Sequence, residues 1–524
     1  MRLPAGSRAW ATGAAFVLLF LVFLTVTYDH AKKWRNPNRG DQDLDLTLGL
    51  KIRHFQALSD GNHHPLLPAL VAPFAEKRLV YFAKAKLVNV AIGAVAFWVV
   101  AWVGLRMVGA TPTFLALVAL SPGLSNKSAE FTAEPLLLLL VTLTFYHLVQ
   151  GFGRARHWML AGGFAGLAYL TKGSALLLPI VHAASVIRVA PRRLLDRSGV
   201  LFPLAFLVVA SPLLIYNWQV FGSPFFNYNT AHVMWLDHAE EQETMFETGP
   251  PTMRTYLATH TFAQIVWRFL KGLARVRGIE WVWPFLLIFL LVPHSRLAYF
   301  SAFPGKRRVG AVATILVLTF YLPFAWYAVV WRGVRFLLPL FPITHLLLAD
   351  VGVFYGTRLA TRLWAPPIRQ RLASLAVAGL VVALAVTWLT LLATRRFQAP
   401  LAIAFEDRAT AEVYHLLDTP EFDGKRVLFR PSHLFTGTWL FRRDVAFVSM
   451  PPRLPTPEFL PWLEANRIDY ILANKHLIER RRDTLRDYLR HEPREGVKLM
   501  KLAPGWEILY QAPLPSKFIL LRVR

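Results

Sequence analysis

These 524 residues predict a polytopic α-helical membrane protein of about eleven spans, followed by a soluble α/β domain. Three observations carry that expectation. Hydrophobic residues make up 55% of the chain and charged ones only 17%, against about 25% charged in an ordinary soluble domain. Apolar runs of roughly 18 residues, the length a helix needs to cross a bilayer, recur through the first three quarters of the chain. Basic residues fall in every second connection between those runs, and from about residue 394 the pattern changes to short β-rich stretches alternating with helical ones.

The first run, near 9–27, follows Arg2 and Arg8 as a secretion signal would. It is too long for a cleaved signal, and "VTYDHAKK" offers no small-residue cleavage site, so it reads as an uncleaved anchor. Ten further runs lie near 87–106, 110–124, 134–151, 158–171, 174–189, 199–218, 279–293, 309–330, 336–356 and 372–393. Arg106, Arg154, Arg156, Arg188, Arg192, Arg193, Arg197, Arg296, Lys306, Arg307, Arg308, Arg358, Arg362, Arg369 and Arg371 all occupy short, acid-poor connections of one set. Positive charge stays on the cytoplasmic side of a membrane. The N-terminus is therefore expected in the cytoplasm, with the long loops 28–86 and 219–278 and the tail outside.

In the tail, "KRVLFRP", "VAFVSM", "DYILAN", "WEILYQ" and "FILLRV" have strand composition. Between them "DRATAEVYHLLD", "PEFLPWLEANR" and "HLIERRRDTLRDYLR" have helical spacing. Such alternation predicts a compact α/β domain of about 130 residues over 394–524, after a transmembrane domain over 1–393. The net charge of +26 does not mark a nucleic-acid partner. Residues 393–524 hold a surplus of only 6, and the other 20 belong to the membrane part, where topology accounts for them. Cysteine is absent, so disulfide and thiolate chemistry are excluded.

Acid is scarce, yet "NRGDQDLDLTLGLKIRHF" places Asp41, Asp43 and Asp45 at alternate positions just after the first span. Leu44, Leu48, Ile52 and Phe55 fall near helical spacing, which predicts an amphipathic helix on the outer membrane surface. At its start a carboxylate suits the orphan N–H groups and the helix dipole, so the acids have a capping role open to them. They also have a chemical one, as a general base or as ligands to a hard cation. In "SDGNHHPLLPAL", His63 and His64 are adjacent and cannot share a helix face as zinc ligands do, and Pro65 and Pro68 impose a turn. In "SNKSAEFTAEPLLLLL", Glu130 and Glu134 are four apart, while Pro135 marks a helix first turn.

Three cations run against the positive-inside trend: Lys172 in "AYLTKGSALLLP", and Arg332 and Arg335 in "WRGVRFLLPLFP". Snorkelling explains one such residue. Three in one leaflet plane with the acidic loop are better explained by an anionic ligand such as a lipid phosphate. The long loop "GSPFFNYNTAHVMWLDHAEEQETMFETG", with Asp237, Glu240, Glu241, Glu243 and Glu247, reads as a solvated cover with no clear site residue.

Taken together, the anchor, the acidic outer loop, "HHPLLPAL", "SAEFTAEPLLLL", "GGFAGLAYLTKGSALLLP", "GSPFFNYN", "RFLLPLFP" and the outer domain resemble the GT-C superfamily of membrane glycosyltransferases. The nearest likeness is to the bacterial protein mannosyltransferases and the lipid A aminoarabinose transferase. The resemblance implies a bacterial inner membrane and transfer of a sugar from a polyprenyl-phosphate donor to a lipid, glycan or protein acceptor. It implies that Asp41 serves as base, with Asp43 second. It also implies that Lys172, Arg332 and Arg335 hold the donor, with Glu130 and His64 as further substrate-binding residues. Gln42 stands where relatives often have a second acid, which leaves open whether a divalent cation (Mg or Mn) is bound.

The residues fit that chemistry independently. A carboxylate can take the proton of an attacking hydroxyl, and Lys and Arg can stabilise the charge developing on a leaving phosphate. Attack opposite the phosphate inverts the anomeric centre, and a phosphate needs no protonating acid, so one carboxylate suffices. A transporter or lipid flippase is the alternative class. Those place ionisable residues near mid-membrane, often in paired halves, whereas here the notable charges gather at the outer surface and no halves repeat. A phosphoethanolamine transferase would need a tight His/Asp group in the tail, which lacks one.

Overall fold

The computed structural model describes residues 5–33, 41–194, 197–238, 241, 250–276, 279–291, 298–394, 408–429, 445–448, 450–451 and 454–523. The N-terminal part is all helix. After α1 (Ala5–Lys33) come the short α2 (Gln42–Arg53) and α3 (Leu66–Val71). Then follow α4 (Leu79–Met107), α5 (Ala110–Ala129), α6 (Glu134–Gly151), α7 (Arg156–Thr171), α8 (Leu177–Val189) and α9 (Arg197–Phe221). The loop beyond α9 carries α10 (Tyr228–Ala231), α11 (Met253–Thr259) and α12 (Phe262–Leu273). The bundle closes with α13 (Ile279–Leu286), α14 (Ala298–Ala302), α15 (Lys306–Tyr327), α16 (Phe341–Leu363) and α17 (Pro366–Ala393).

Over its described residues, each of the eleven predicted apolar runs is helical for most of its length. Length and composition alone qualify seven of the described stretches to cross a membrane: Trp10–Lys33, Leu79–Met107, Glu134–Gly151, Gly199–Phe221, Lys306–Tyr327, Leu338–Leu363 and Pro366–Ala393. The others fall short for visible reasons. Helices α7 and α8 have 16 and 13 residues, below the ~20 that span a bilayer untilted. Helix α5 ends in the polar "SPGLSNKSA", and α13 runs into a short π-helical turn at Leu287–Leu291.

Packing follows the small residues. Helix α7 lies between α6 and α9. Its Gly162 is so close to α9 that a Cβ there would stand 2.2 Å from the Phe202 carbonyl oxygen, and one at Gly166 2.8 Å from Val209 Cβ. Four residues apart, these glycines let two backbones approach as small-xxx-small pairs do in membranes. Helix α5 packs on α4 and α16, and α1 on α5 and α17.

The predicted surface helix exists as α2, but its apolar face is turned. Leu44 is partly exposed and Phe55 is 98% exposed, whereas Asp43, Asp45, Leu46, Leu48 and Gly49 are buried. The reason is the fit against α3 and α4: Gly49 leaves room for the Tyr81 hydroxyl, 2.1 Å from where a Cβ would be. That hydroxyl donates to the Leu46 carbonyl at 3.3 Å.

The C-terminal part is α/β, as expected. Its main sheet has the order β2-β1-β3-β7-β6, from β1 (Arg426–Leu428), β2 (Ala446–Val448), β3 (Tyr470–Asn474), β6 (Glu507–Gln511) and β7 (Phe518–Arg522). Strand β1 runs parallel to β2 and β3, while β7 is antiparallel to both β3 and β6. Alternation sorts the core. Ile471, Ala473, Ile519 and Leu521 face Phe459, Leu463 and Leu477, while Tyr470, Leu472, Phe518 and Leu520 face Val413, Leu417 and Phe422. A hairpin of β4 (Leu489–Glu492) and β5 (Gly496–Leu499) was not predicted; it takes over the end of the third predicted helix. Leu79, at the head of α4, packs against the second of these core faces. The sheet part therefore touches the end of the bundle that bears α2.

Candidate functional site

One cavity, of about 390 Å³, opens where the ends of α2, α6, α7, α8 and α15 meet. Asp41 and Asp45 line it from α2, Asn62, His63 and His64 from the following loop, and Glu134, Lys172 and Arg335 from helix ends. Leu176, Leu177, Ile180, Pro323, Phe324 and Phe336 form an apolar side.

Helix α2 sets the acidic wall. Asp41 precedes its first turn and Asp45 follows four residues later, with the Asp45 N–H donating to the Asp41 carbonyl at 3.1 Å. That spacing puts both carboxylates on one face. Arg335 donates to Asp41 Oδ2 at 2.7 Å. Asp45 is only 5% exposed, and burial drives its carboxyl up to about 7, partly offset by the attraction of His63.

The loop after α2 holds two histidines in opposite states. Asp60 Oδ1 accepts the N–H groups of Asn62 and His63 at 2.8 and 2.6 Å, and His63 Nδ1 donates to Asp60 Oδ2 at 2.7 Å. Burial works against a charge on His63, but the Asp60 hydrogen bond and the attraction of Asp45 raise it to about 9. His64 is buried and lowered to about 4, chiefly by burial. Its Nδ1–H donates to the Tyr169 carbonyl at 2.5 Å, which leaves Nε2 as an acceptor beside Gly173. The predicted turn is displaced: the chain bends over residues 61–63, Pro65 opens α3 and Pro68 lies within it, and the bend delivers both rings to the cavity.

On the cationic side Lys172 ends α7 and pairs with Glu134 at 2.7 Å, where the carboxylate is 2% exposed at the N-terminus of α6. Phe336 lies between the two cations, 5.8 Å from Lys172 Nζ and 5.4 Å from the Arg335 guanidinium carbon, within cation–π reach.

The structure brings together Asp41, His64, Lys172 and Arg335 of the residues singled out from sequence. Asp43 is buried in α2 away from the cavity lining, because it stands two residues from each of its neighbours on a 3.6-residue helix. Arg332 is exposed and outside the lining. Glu130 pairs with Lys127 at 2.6 Å beyond the end of α5 and does not share a helix with Glu134, which opens α6. Gln42 is buried, and its Oε1 accepts the Phe131 N–H at 2.8 Å, so it braces α2 against the α5–α6 link. Asp45, His63 and Glu134, noted in the sequence but not chosen as site residues, also line the cavity; the i, i+4 relation of Asp45 to Asp41 was the available signal.

From the long outer loop Asn227, Asn229, Thr230 and Met234 reach the cavity. The loop is tied down by Asp237, which accepts from Arg268 at 3.1 Å and pairs with His260 at 3.0 Å. Glu240, Glu243 and Glu247 lie outside the described residues. Among the described residues no three His, Asp or Glu side chains form a metal-binding group.

The family model described as dolichyl-phosphate-mannose-protein mannosyltransferase matches residues 63–216. That stretch contains His63, His64, Glu134 and Lys172 and leaves α2 and Arg335 outside. No curated protein sequence matches the chain. Among solved structures, ArnT from Cupriavidus metallidurans bound to undecaprenyl phosphate is 13% identical, with 99% of this chain and 98% of that one covered and a TM-score of 0.51. Its apo state gives 12% identity, the same coverage and a TM-score of 0.50. An Archaeoglobus fulgidus oligosaccharyltransferase in complex with Zn and sulfate is 11% identical over 87% of this chain and 68% of that one, with a TM-score of 0.53. These likenesses show a GT-C-like polytopic fold.

Proposed function

We propose that this chain is a glycosyltransferase that moves a sugar from a polyprenyl-phosphate donor to an acceptor hydroxyl at the outer face of the membrane. The observation that carries the reading is the cavity itself: carboxylates on one wall face Lys172 and Arg335 on the other, at one end of an apolar bundle. The similarity to a structure bound to undecaprenyl phosphate supports the donor class. In this reading residues 1–393 cross the membrane eleven times from a cytoplasmic N-terminus, and 394–524 form an extracytoplasmic domain.

Arg335 and Lys172 take the donor phosphate, and the charge that develops as the sugar leaves falls between them. Their present partners, Asp41 and Glu134, hold them in place until then. A cavity of this size suits a sugar and its phosphate but not a polyprenyl chain. The chain leaves along Leu176, Leu177, Ile180 and Phe324. A carboxylate of α2 receives the acceptor's proton, and displacement opposite the phosphate inverts the anomeric centre.

The test uses purified protein in lipid nanodiscs with polyprenyl-phosphate-linked mannose, glucose and galactose as donors. Release of polyprenyl phosphate from at least one of them, abolished by boiling the protein, is the expected result. Mass spectrometry of surface glycolipids and glycoproteins from a deletion strain then identifies the acceptor. If no donor is consumed and the deletion alters no glycan, the transferase reading is wrong.

A further inference from the structure

We propose that Asp45, rather than Asp41, is the base that takes the acceptor's proton, and that His63 and Asp60 are its positioning residues. The inference rests on the transferase reading above and deepens it. Both aspartates share one face of α2, but their surroundings differ. Asp41 is engaged by Arg335 at 2.7 Å, with its side chain 42% exposed. Asp45 is buried and lines the cavity, and among the described residues no N–H or O–H donates to its carboxylate. Buried polar groups are almost always hydrogen-bonded. A desolvated carboxylate facing a cavity without a donor is matched to one that arrives with a substrate, and an acceptor hydroxyl is such a donor.

Behind it stands a locked pair. Asp60 is fixed by two backbone N–H groups and binds His63 Nδ1. His63 Nδ1 is thereby committed, and the ring's other nitrogen is left for the cavity that His63 lines. The groups acting on Asp45 come from every side: His63 lowers its affinity for a proton, while Asp41 on its own helix, Glu134 on α6 and Asp60 in the loop raise it. Tyr81 of α4 feels its charge in turn. The balance, with burial the largest contribution, leaves the carboxyl near 7, which is where a general base works best at neutral pH. In the step, the acceptor oxygen bonds to the anomeric carbon as the carbon–oxygen bond to the lipid phosphate breaks. The bonding pair leaves with the phosphate toward Arg335 and Lys172, and the hydroxyl proton passes to Asp45.

Two measurements test this. In the first, turnover of whichever of the three polyprenyl-phosphate hexoses the wild type consumes is followed against pH. Asp45→Asn loses roughly 100-fold or more in kcat, while its affinity for undecaprenyl phosphate stays within about two-fold of wild type, and Asp45→Glu restores part of the rate. His63→Gln removes a cation that favours the ionised carboxylate, so the acidic limb of the rate profile moves to higher pH. Asp41→Asn removes a repelling anion and moves the limb lower. In the second, infrared difference titration of the intact protein without any sugar shows a protonated carboxyl band with a midpoint around pH 7 that is missing in Asp45→Asn and shifts upward in His63→Gln. Near-wild-type kcat in Asp45→Asn, or the absence of that band, overturns the proposal while leaving the transferase reading intact. A wild type that consumes none of the three donors, together with a deletion strain whose glycans are unaltered, sinks both.

Discussion

Among single residues, the contrast between Arg332 and Arg335 is the most instructive. Both stand out in sequence as outer-face cations, three residues apart, and only Arg335 lines the cavity. A short 3-10 turn over Val334–Phe336 decides which one does, and nothing in the local pattern announces it. Lys172, His64 and Asp41 were legible because a charge or a paired histidine at the end of an apolar run is conspicuous. Asp45 and Glu134 were visible as acids but not as members of one cavity, because that membership comes from burial and from partners contributed by distant helices. The geometry makes a clean prediction. Arg335→Ala weakens binding of undecaprenyl phosphate by roughly 10- to 100-fold, the worth of a charge-assisted hydrogen bond, and Arg332→Ala leaves it unchanged. Fluorescence or calorimetric titration of the detergent-solubilised variants reads both, and equal losses in the two would remove Arg335 from the phosphate site.

Helical elements were legible in kind and less so in phase. Every apolar run became a helix because apolar length and backbone hydrogen bonding leave a membrane segment no other choice. The face each helix buries is a property of its neighbours. Helix α2 shows this: alternating acids and leucines suggest a stripe through Leu44, Leu48, Ile52 and Phe55, but α3 and α4 take the side bearing Leu46 and Gly49. In α7 the glycines that looked like ordinary motif letters set the distance to α9, and α7 in turn delivers Lys172 to the cavity. Gly162→Leu forces that crossing apart at the Phe202 backbone and costs about 1–3 kcal/mol, as overpacking does. Gly163→Ala, with nothing within 4 Å of the new methyl, is nearly neutral. Thermal unfolding followed by fluorescence size-exclusion distinguishes the two; similar melting of both variants would show that α7 and α9 are not held at this distance.

At the scale of the whole molecule, function depends on which end of the bundle faces out. The cavity, the tied-down loop after α9 and the contact of Leu79 with the sheet core all lie at one end, and that is the end positive-inside reasoning assigns to the exterior. The alternation depends on α5, α7, α8 and α13 crossing as well as the seven stretches long and apolar enough to span, since removing any one of them would invert everything after it. The absence of cysteine makes the test direct. Single cysteines at Phe55, 98% exposed beyond α2, and at Leu514, 73% exposed in the sheet part, are expected to react with a membrane-impermeant maleimide in spheroplasts. A cysteine at Arg154, exposed between α6 and α7, is expected to react only after permeabilisation. Labelling of Phe55→Cys but not Leu514→Cys would mean an odd number of misassigned crossings between them, and the sheet part could then not pack against Leu79 at the head of α4. Labelling of Arg154→Cys alone would place the cavity in the cytoplasm, where a sugar donor would have to be met before it crosses the membrane.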